Sequence, residues 1–137
     1  MQQIAALPYR ITAEGQVEVL LITSRQSGQW IIPKGNPIKG LKAHQAAAQE
    51  AFEEAGISGE ISKKSVGTFH YLKRKLGQTD ANTEVVVFPL LVTQQHRAWP
   101  ERGQRKRRWL DPIHASHLTD NTELKRLLLV FHLNFGS

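Results

Sequence analysis

Three glutamates stand at positions 50, 53 and 54. On a helix, residues spaced i, i+3 and i+4 share one face. Glu50, Glu53 and Glu54 would then hold three carboxylates within a few ångströms of one another. Charges so placed repel. A hard divalent cation that prefers oxygen ligands, such as Mg2+ or Mn2+, relieves the repulsion. The acidity is local: from Ala43 to Ser62 the chain has four acids, Glu60 included, and no lysine or arginine. Taken alone, the pattern also fits a solvated acidic helix face.

The opposite charge clusters elsewhere. Residues 97–108, RAWPERGQRKRR, carry six basic side chains and one acid, and Lys73, Arg74 and Lys75 add three more. Together these clusters hold +8 in a chain of net charge +6, so the remainder is −2. Planar guanidinium groups bind phosphate oxygens in pairs. Arg105 and Arg107 are candidates. If 105–109 is extended, alternate side chains point opposite ways, and only half of the run can face one ligand. Lys34 sits in a glycine loop upstream of the glutamates, Lys73 precedes a further glycine loop, and Arg10 and Arg25 flank an apolar run. An acidic metal-holding stretch with basic stretches around it suits a phosphate-rich ligand.

The elements that must position these groups can be read coarsely. VEVLLIT at 17–23 reads as a strand, with a partner over 4–11 across the AEG turn. Trp30–Ile32 is a short apolar run stopped by Pro33, and PKGNPIKG is a loop. KAHQAAAQEAFEEA at 42–55 has six alanines in fourteen residues and reads as a helix stopped by Gly56. Its narrow apolar face (Ala47, Ala48, Ala51, Phe52, Ala55) allows close packing on a sheet. Ser65–Tyr71 and Glu84–Thr93 read as strands. The nearly continuous apolar run of Glu84–Thr93 suits a central strand, where Pro89 demands a bulge or an edge. Residues 108–110 read as a short strand, Asp111-Pro112 as a helix start, and 121–133 as a closing helix with Leu124, Leu127, Leu128 and Phe131 on its apolar face. The expectation is one α/β (α+β) domain over residues 1–137.

Composition excludes several classes. There is no cysteine, hence no disulfide, thiolate metal site or cysteine nucleophile. There is no apolar run long enough to span a bilayer and no signal-peptide pattern. A cytoplasmic protein fits, with no membrane partner. The six histidines (44, 70, 96, 114, 117, 132) form no metal spacing and read as surface or capping residues. Trp30 reads as core or pocket wall, and Trp99 or Trp109 as candidates to stack on a base.

The segment WIIPKG, followed by a loop and by EAFEEAGI, resembles the Nudix hydrolase signature, G-x5-E-x7-R-E-U-x-E-E-x-G-U with U bulky aliphatic. Gly35, Glu50, Glu53, Glu54, Gly56 and Ile57 fall in register. Leu41 stands where the family has its first glutamate, Gln49 where it has arginine, and Ala51 at a U position. VEVLLITSRQSGQWIIPKG and the late WPERGQRKRRWL are similar to the diphosphoinositol polyphosphate phosphohydrolase branch. The likeness covers roughly 17–113.

The resemblance implies an α/β/α sandwich with a mixed sheet, and hydrolysis of a nucleoside-diphosphate-X, dinucleoside polyphosphate or inositol pyrophosphate. It also implies a divalent metal held by Glu50, Glu53, Glu54 and the Gly35 carbonyl. One of these glutamates, or Glu101, would take the proton from water. Lys34, Lys73, Arg10, Arg105 and Arg107 would bind substrate. Because Leu41 and Gln49 replace an acid and a base together, no single buried charge is stranded, but Glu50 loses a positioning partner. A nucleotide-binding module with weakened catalysis therefore stays open. So does an RNA-binding or RNA 5′-end-processing role, which is less favoured because no RNA motif with stacking aromatics is present. Monomer and homodimer both remain possible.

Overall fold

The structure is a computed structural model that describes residues 1–73 and 81–135. In chain order it comprises β1 (Gln2–Ile11), β2 (Val17–Thr23), β3 (Trp30–Ile31), β4 (Lys34–Gly35), α1 (Ala43–Ala55), β5 (Ile57–Ile61), β6 (Gly67–Lys73), β7 (Ala81–Gln95), β8 (Arg107–Leu110), α2 (Pro112–Leu118) and α3 (Thr122–Phe135). The strands form one mixed sheet. Its main path runs β3-β2-β1-β7-β5, with β4 on β1, β6 on β7 and β8 on β2. The β1–β7 pairing is parallel and the others are antiparallel.

Side-chain alternation along β1 sorts the core into two layers. Ala5 and Leu7 join Val19, Leu21, Val85 and Val87 on one face, under Ala115 of α2 and Leu124, Leu128 and Phe131 of α3. Ile4 and Ala6 join Leu20, Ile22 and Leu90 on the other, under the alanines of α1. Helices cover both faces, giving the expected α/β/α sandwich.

Three details depart from the sequence reading, the first being that Lys34–Gly35, inside the expected loop PKGNPIKG, pairs with β1 as β4. Strand β5 was not expected: ISGEI is short and interrupted by Gly59, and it forms by pairing with the far half of β7. Pro89 needs neither a bulge nor an outer edge. It lies where the neighbour of β7 changes from β6 to β5. There Ser62 N–H donates to the Pro89 carbonyl and Val66 N–H to that of Val87. N–H and C=O of one strand residue point to the same side, so the missing donor of Pro89 faces this break. Among the described residues no helix is long and apolar enough to cross a membrane.

Candidate active site

The site lies where α1 meets β4. Helix α1 ends at Gly56, whose φ of 68° and ψ of 35° are left-handed, and Gly56 N–H donates to the Phe52 carbonyl at 3.0 Å. A side chain there would be strained and would also run into the Trp99 ring. At the other contact, a Cβ on Gly35 would lie 2.5 Å from the Glu50 carboxyl carbon. Glycine at 35 is therefore what lets the carboxylate of α1 come down onto the β4 backbone.

Glu54 is buried, 7% exposed. One carboxylate oxygen accepts the Lys34 N–H at 3.2 Å, and the other lies 3.7 Å from an Arg105 Nη. The Glu50 and Glu54 carboxyls are close enough for each to shift the titration of the other. Burial pushes Glu54 up to about 8, against the pull of Arg105, and the Glu50 charge adds to the rise. Glu50 is raised too, chiefly by burial. Two neighbouring carboxyls raised by desolvation form a site short of positive charge. Such an all-oxygen pair beside a close backbone fits a hard divalent cation.

Glu53 is not drawn into that pair. Its carboxylate accepts from Gln49 Nε2 at 2.9 Å on the exposed side of the helix. Consistent with this, no three His, Asp or Glu side chains converge as a ready metal cage among the described residues. The three-carboxylate expectation thus becomes two facing carboxyls and one set aside. Leu41 and Gln49 are both exposed. Neither departure from the signature buries an unpaired group, and Gln49 takes on a new partner.

A cleft of about 730 Å³ opens onto Glu54. Lys34, Lys73, Arg25 and Arg105 supply its positive charge, and Trp30, Phe69 and Tyr71 supply aromatic wall. Lys34 Nζ sits 4.5 Å from the centre of the Tyr71 ring. Burial lowers its pKa, nearby Arg105 and Lys73 lower it further, and Glu54 opposes them. Arg105 is held firmly. Its Nε donates to Glu101 at 2.9 Å and an Nη to the Thr23 carbonyl at 3.1 Å, with its side chain only 8% exposed.

Not every expected group reaches the cleft. Arg10 pairs with Glu18 at 2.8 Å and lies over the Trp109 ring, outside the cleft lining. Arg107 turns to the end of α1. Trp99 and Trp109 are engaged by Arg107 and Arg10, so Trp30 is the tryptophan that lines the cleft. Arg74 and Lys75 lie outside the described residues. Tyr71 and Gln3 were missed. The Tyr71 hydroxyl donates to Gln3 Oε1 at 2.6 Å at the cleft wall. The alternation Phe69, Tyr71, Lys73 along β6 was the available signal.

A NUDIX domain model matches residues 1–130. The chain belongs to the Nudix family. It is 34% identical over 134 residues to the chloroplastic Nudix hydrolase 21 of Arabidopsis thaliana, covering 95% of this chain and 65% of that protein. It is 31% identical over 132 residues to diphosphoinositol polyphosphate phosphohydrolase 2 of Rattus norvegicus, covering 85% and 68%. The chain thus spans about two thirds of the length of these relatives. Among solved structures, a C. elegans Ap4A hydrolase superposes with a TM-score of 0.70 at 23% identity, over 97% of this chain and 96% of that one. The NUDIX domain of Shewanella oneidensis NrtR, complexed with ADP ribose, gives 0.71 at 13% identity, over 98% and 87%. These two likenesses bear on the Nudix fold. Nudix enzymes generally use divalent metal ions and act on phosphorylated small molecules.

Proposed function

We propose that this Nudix domain, acting as a single unit over residues 1–137, is a pyrophosphohydrolase that cleaves a diphosphate linkage with Mg2+ or Mn2+. The observation that carries the reading is the Glu50–Glu54 pair, with Glu50 against Gly35 and buried Glu54 lining a cleft rich in positive charge. A divalent ion bound there would offset charge on the bridging oxygens and lower the pKa of attacking water. Glu50 and Glu54 would hold it with the Gly35 backbone, and Glu53, one of whose oxygens accepts from Gln49, would have its other oxygen to offer. Lys34, Arg105 and Lys73 line the cleft with Glu54 and would meet the phosphates there. Glu101 is committed to Arg105. Glu101 also lies outside the cleft lining, which favours a glutamate of α1 as the acceptor of the proton from water.

The aromatic wall favours a nucleoside on one side of the diphosphate over an inositol ring bearing phosphates all round. Flat rings bind apolar faces, whereas a densely phosphorylated ring needs cations on every side. Nucleoside-diphosphate-X and dinucleoside polyphosphates thus rank above inositol pyrophosphates. The alternative reading, a nucleotide-binding module with weakened turnover, is favoured by one observation: Gln49 occupies Glu53.

A panel of these three substrate types, assayed with Mg2+ and with Mn2+, tests the proposal. Metal-dependent phosphate-product release, abolished by chelator and fastest on nucleoside substrates, is expected. Tight calorimetric binding of a nucleotide with no turnover across the panel would shift the assignment to the binding module.

A further inference from the structure

Arg107 lies two residues beyond Arg105 but does not join it in the cleft. One Nη donates to the Ala55 carbonyl at 2.8 Å and to the Gly56 carbonyl at 3.4 Å, and the other Nη to the His96 carbonyl at 3.4 Å. Its guanidinium carbon lies 4.2 Å from the centre of the Trp99 ring, and Trp99 in turn covers Gly56. Two backbone bonds reinforce the contact: His96 N–H to the Gly56 carbonyl at 2.7 Å, and Glu101 N–H to the Glu53 carbonyl at 3.1 Å.

The last carbonyls of a helix have no partner within it and carry its negative pole. Here those of Glu53, Ala55 and Gly56 all accept from the 96–107 segment. A cation placed there is doubly suited, as a donor and as a counter-charge. Glu54 lies inside this clamped turn, and Arg105 reaches its carboxyl from the same segment. The backbone under Glu54 and the cation beside it are therefore fixed by one piece of chain.

We propose that Arg107 is a positioning residue for the diphosphate-cleaving site, locking the end of α1 to the 96–107 segment so that Glu54 meets the Lys34 N–H and Arg105 in register. The inference rests on the hydrolase reading above. It also reassigns Arg107, which the sequence had placed among the phosphate ligands. Lysine cannot replace it fully, because an ammonium does not span carbonyls of two segments while stacking flat on indole.

The test compares wild type with Arg107→Met and Arg107→Lys in two measurements: amide hydrogen exchange, and steady-state kinetics on the best substrate of the panel with Mg2+. In Arg107→Met, exchange at Gly56, His96 and Glu101 should quicken at least about tenfold relative to the sheet core. Its kcat should fall by about 10- to 100-fold with KM within threefold, the signature of a displaced reacting group. Arg107→Lys should recover part of both. If Arg107→Met does not fold, Arg107→Lys is read by the same criteria against wild type. A raised KM with unchanged kcat would assign Arg107 to substrate binding and overturn the proposal, and unaltered exchange would overturn it equally. If wild type hydrolyses nothing, the hydrolase reading fails by itself, and the exchange data still decide whether the clamp exists.

Discussion

The two faces of the sheet are filled by different kinds of side chain. Under α3, Leu124, Leu128 and Phe131 interlock with Leu7, Val85 and Val87. Under α1 the helix offers Ala46, Ala47, Ala51 and Ala55. A fully buried leucine contributes about 1.5–3 kcal/mol and an alanine far less. Helix α3 is therefore held along its side. Helix α1 is held at particular contacts: the Lys34 N–H on Glu54, and Arg107 and Trp99 at its C-terminus. Small residues also allow the close approach on which the site depends. The cleft is walled from the α3 side by Trp30, Phe69 and Tyr71, while its glutamate comes from the alanine-packed α1, whose precision comes from polar contacts.

The difference can be broken from either side. Leu128→Ala, on the α3 face, should cost about 2–5 kcal/mol in denaturant unfolding, with only a small change in kcat of the folded protein because Leu128 itself lies outside the cleft lining. Ala47→Leu, on the α1 face, should cost less, about 1–3 kcal/mol. It should nevertheless reduce hydrolysis more, since the added side chain lifts α1 away from Gly35. Equal kinetic effects from the two would show that the faces do not differ as described.

The pH dependence sharpens the same contrast. Glu54 is raised from its ordinary value of 4.5 to about 8. Between those limits the unfolded chain has released this proton and the folded metal-free protein has kept it. Stability conferred by the neutral form is thus fully present below about 4.5, declines as pH rises, and is gone above about 8. Thermal unfolding from pH 5 to 8 should show this decline in chelator, and saturating Mg2+ should reverse it by binding the ionised pair. A flat profile would mean that the carboxyls are not desolvated.

The smallest effect is expected from Leu41→Glu with Gln49→Arg. Both positions are exposed, so stability should change by less than about 1 kcal/mol. If the introduced carboxylate at 41 takes the introduced guanidinium at 49 from Glu53, turnover should rise severalfold. An unchanged rate would show that the Gln49–Glu53 bond does not limit the enzyme.

Much of this was legible beforehand. The spacing of Glu50 and Glu54, the alanine face of α1 and the stop at Gly56 all follow from local rules that the structure obeys. Alternation over 105–108 was also sound: Arg105 and Arg107 turn inward and Lys106 and Arg108 are exposed. What was not legible depends on distant partners. The destination of Arg107 is set by Trp99 and the end of α1, that of Arg10 by Glu18 and Trp109, and that of Glu53 by which neighbour reaches it first. Strand β5 exists because β7 is long enough to offer it a ladder. No property of ISGEI alone requires it.

The central claim is that Glu54 sits in the reacting centre and is a burden to the fold without metal. Glu54→Gln, assayed for Mg2+-dependent diphosphate hydrolysis beside its thermal unfolding, tests both halves at once. The expected result is a loss of about 1,000-fold, roughly 4 kcal/mol of transition-state stabilisation, in a protein at least as heat-stable as wild type at pH 8 without metal. Hydrolysis at the wild-type rate in a folded Glu54→Gln protein would contradict the account.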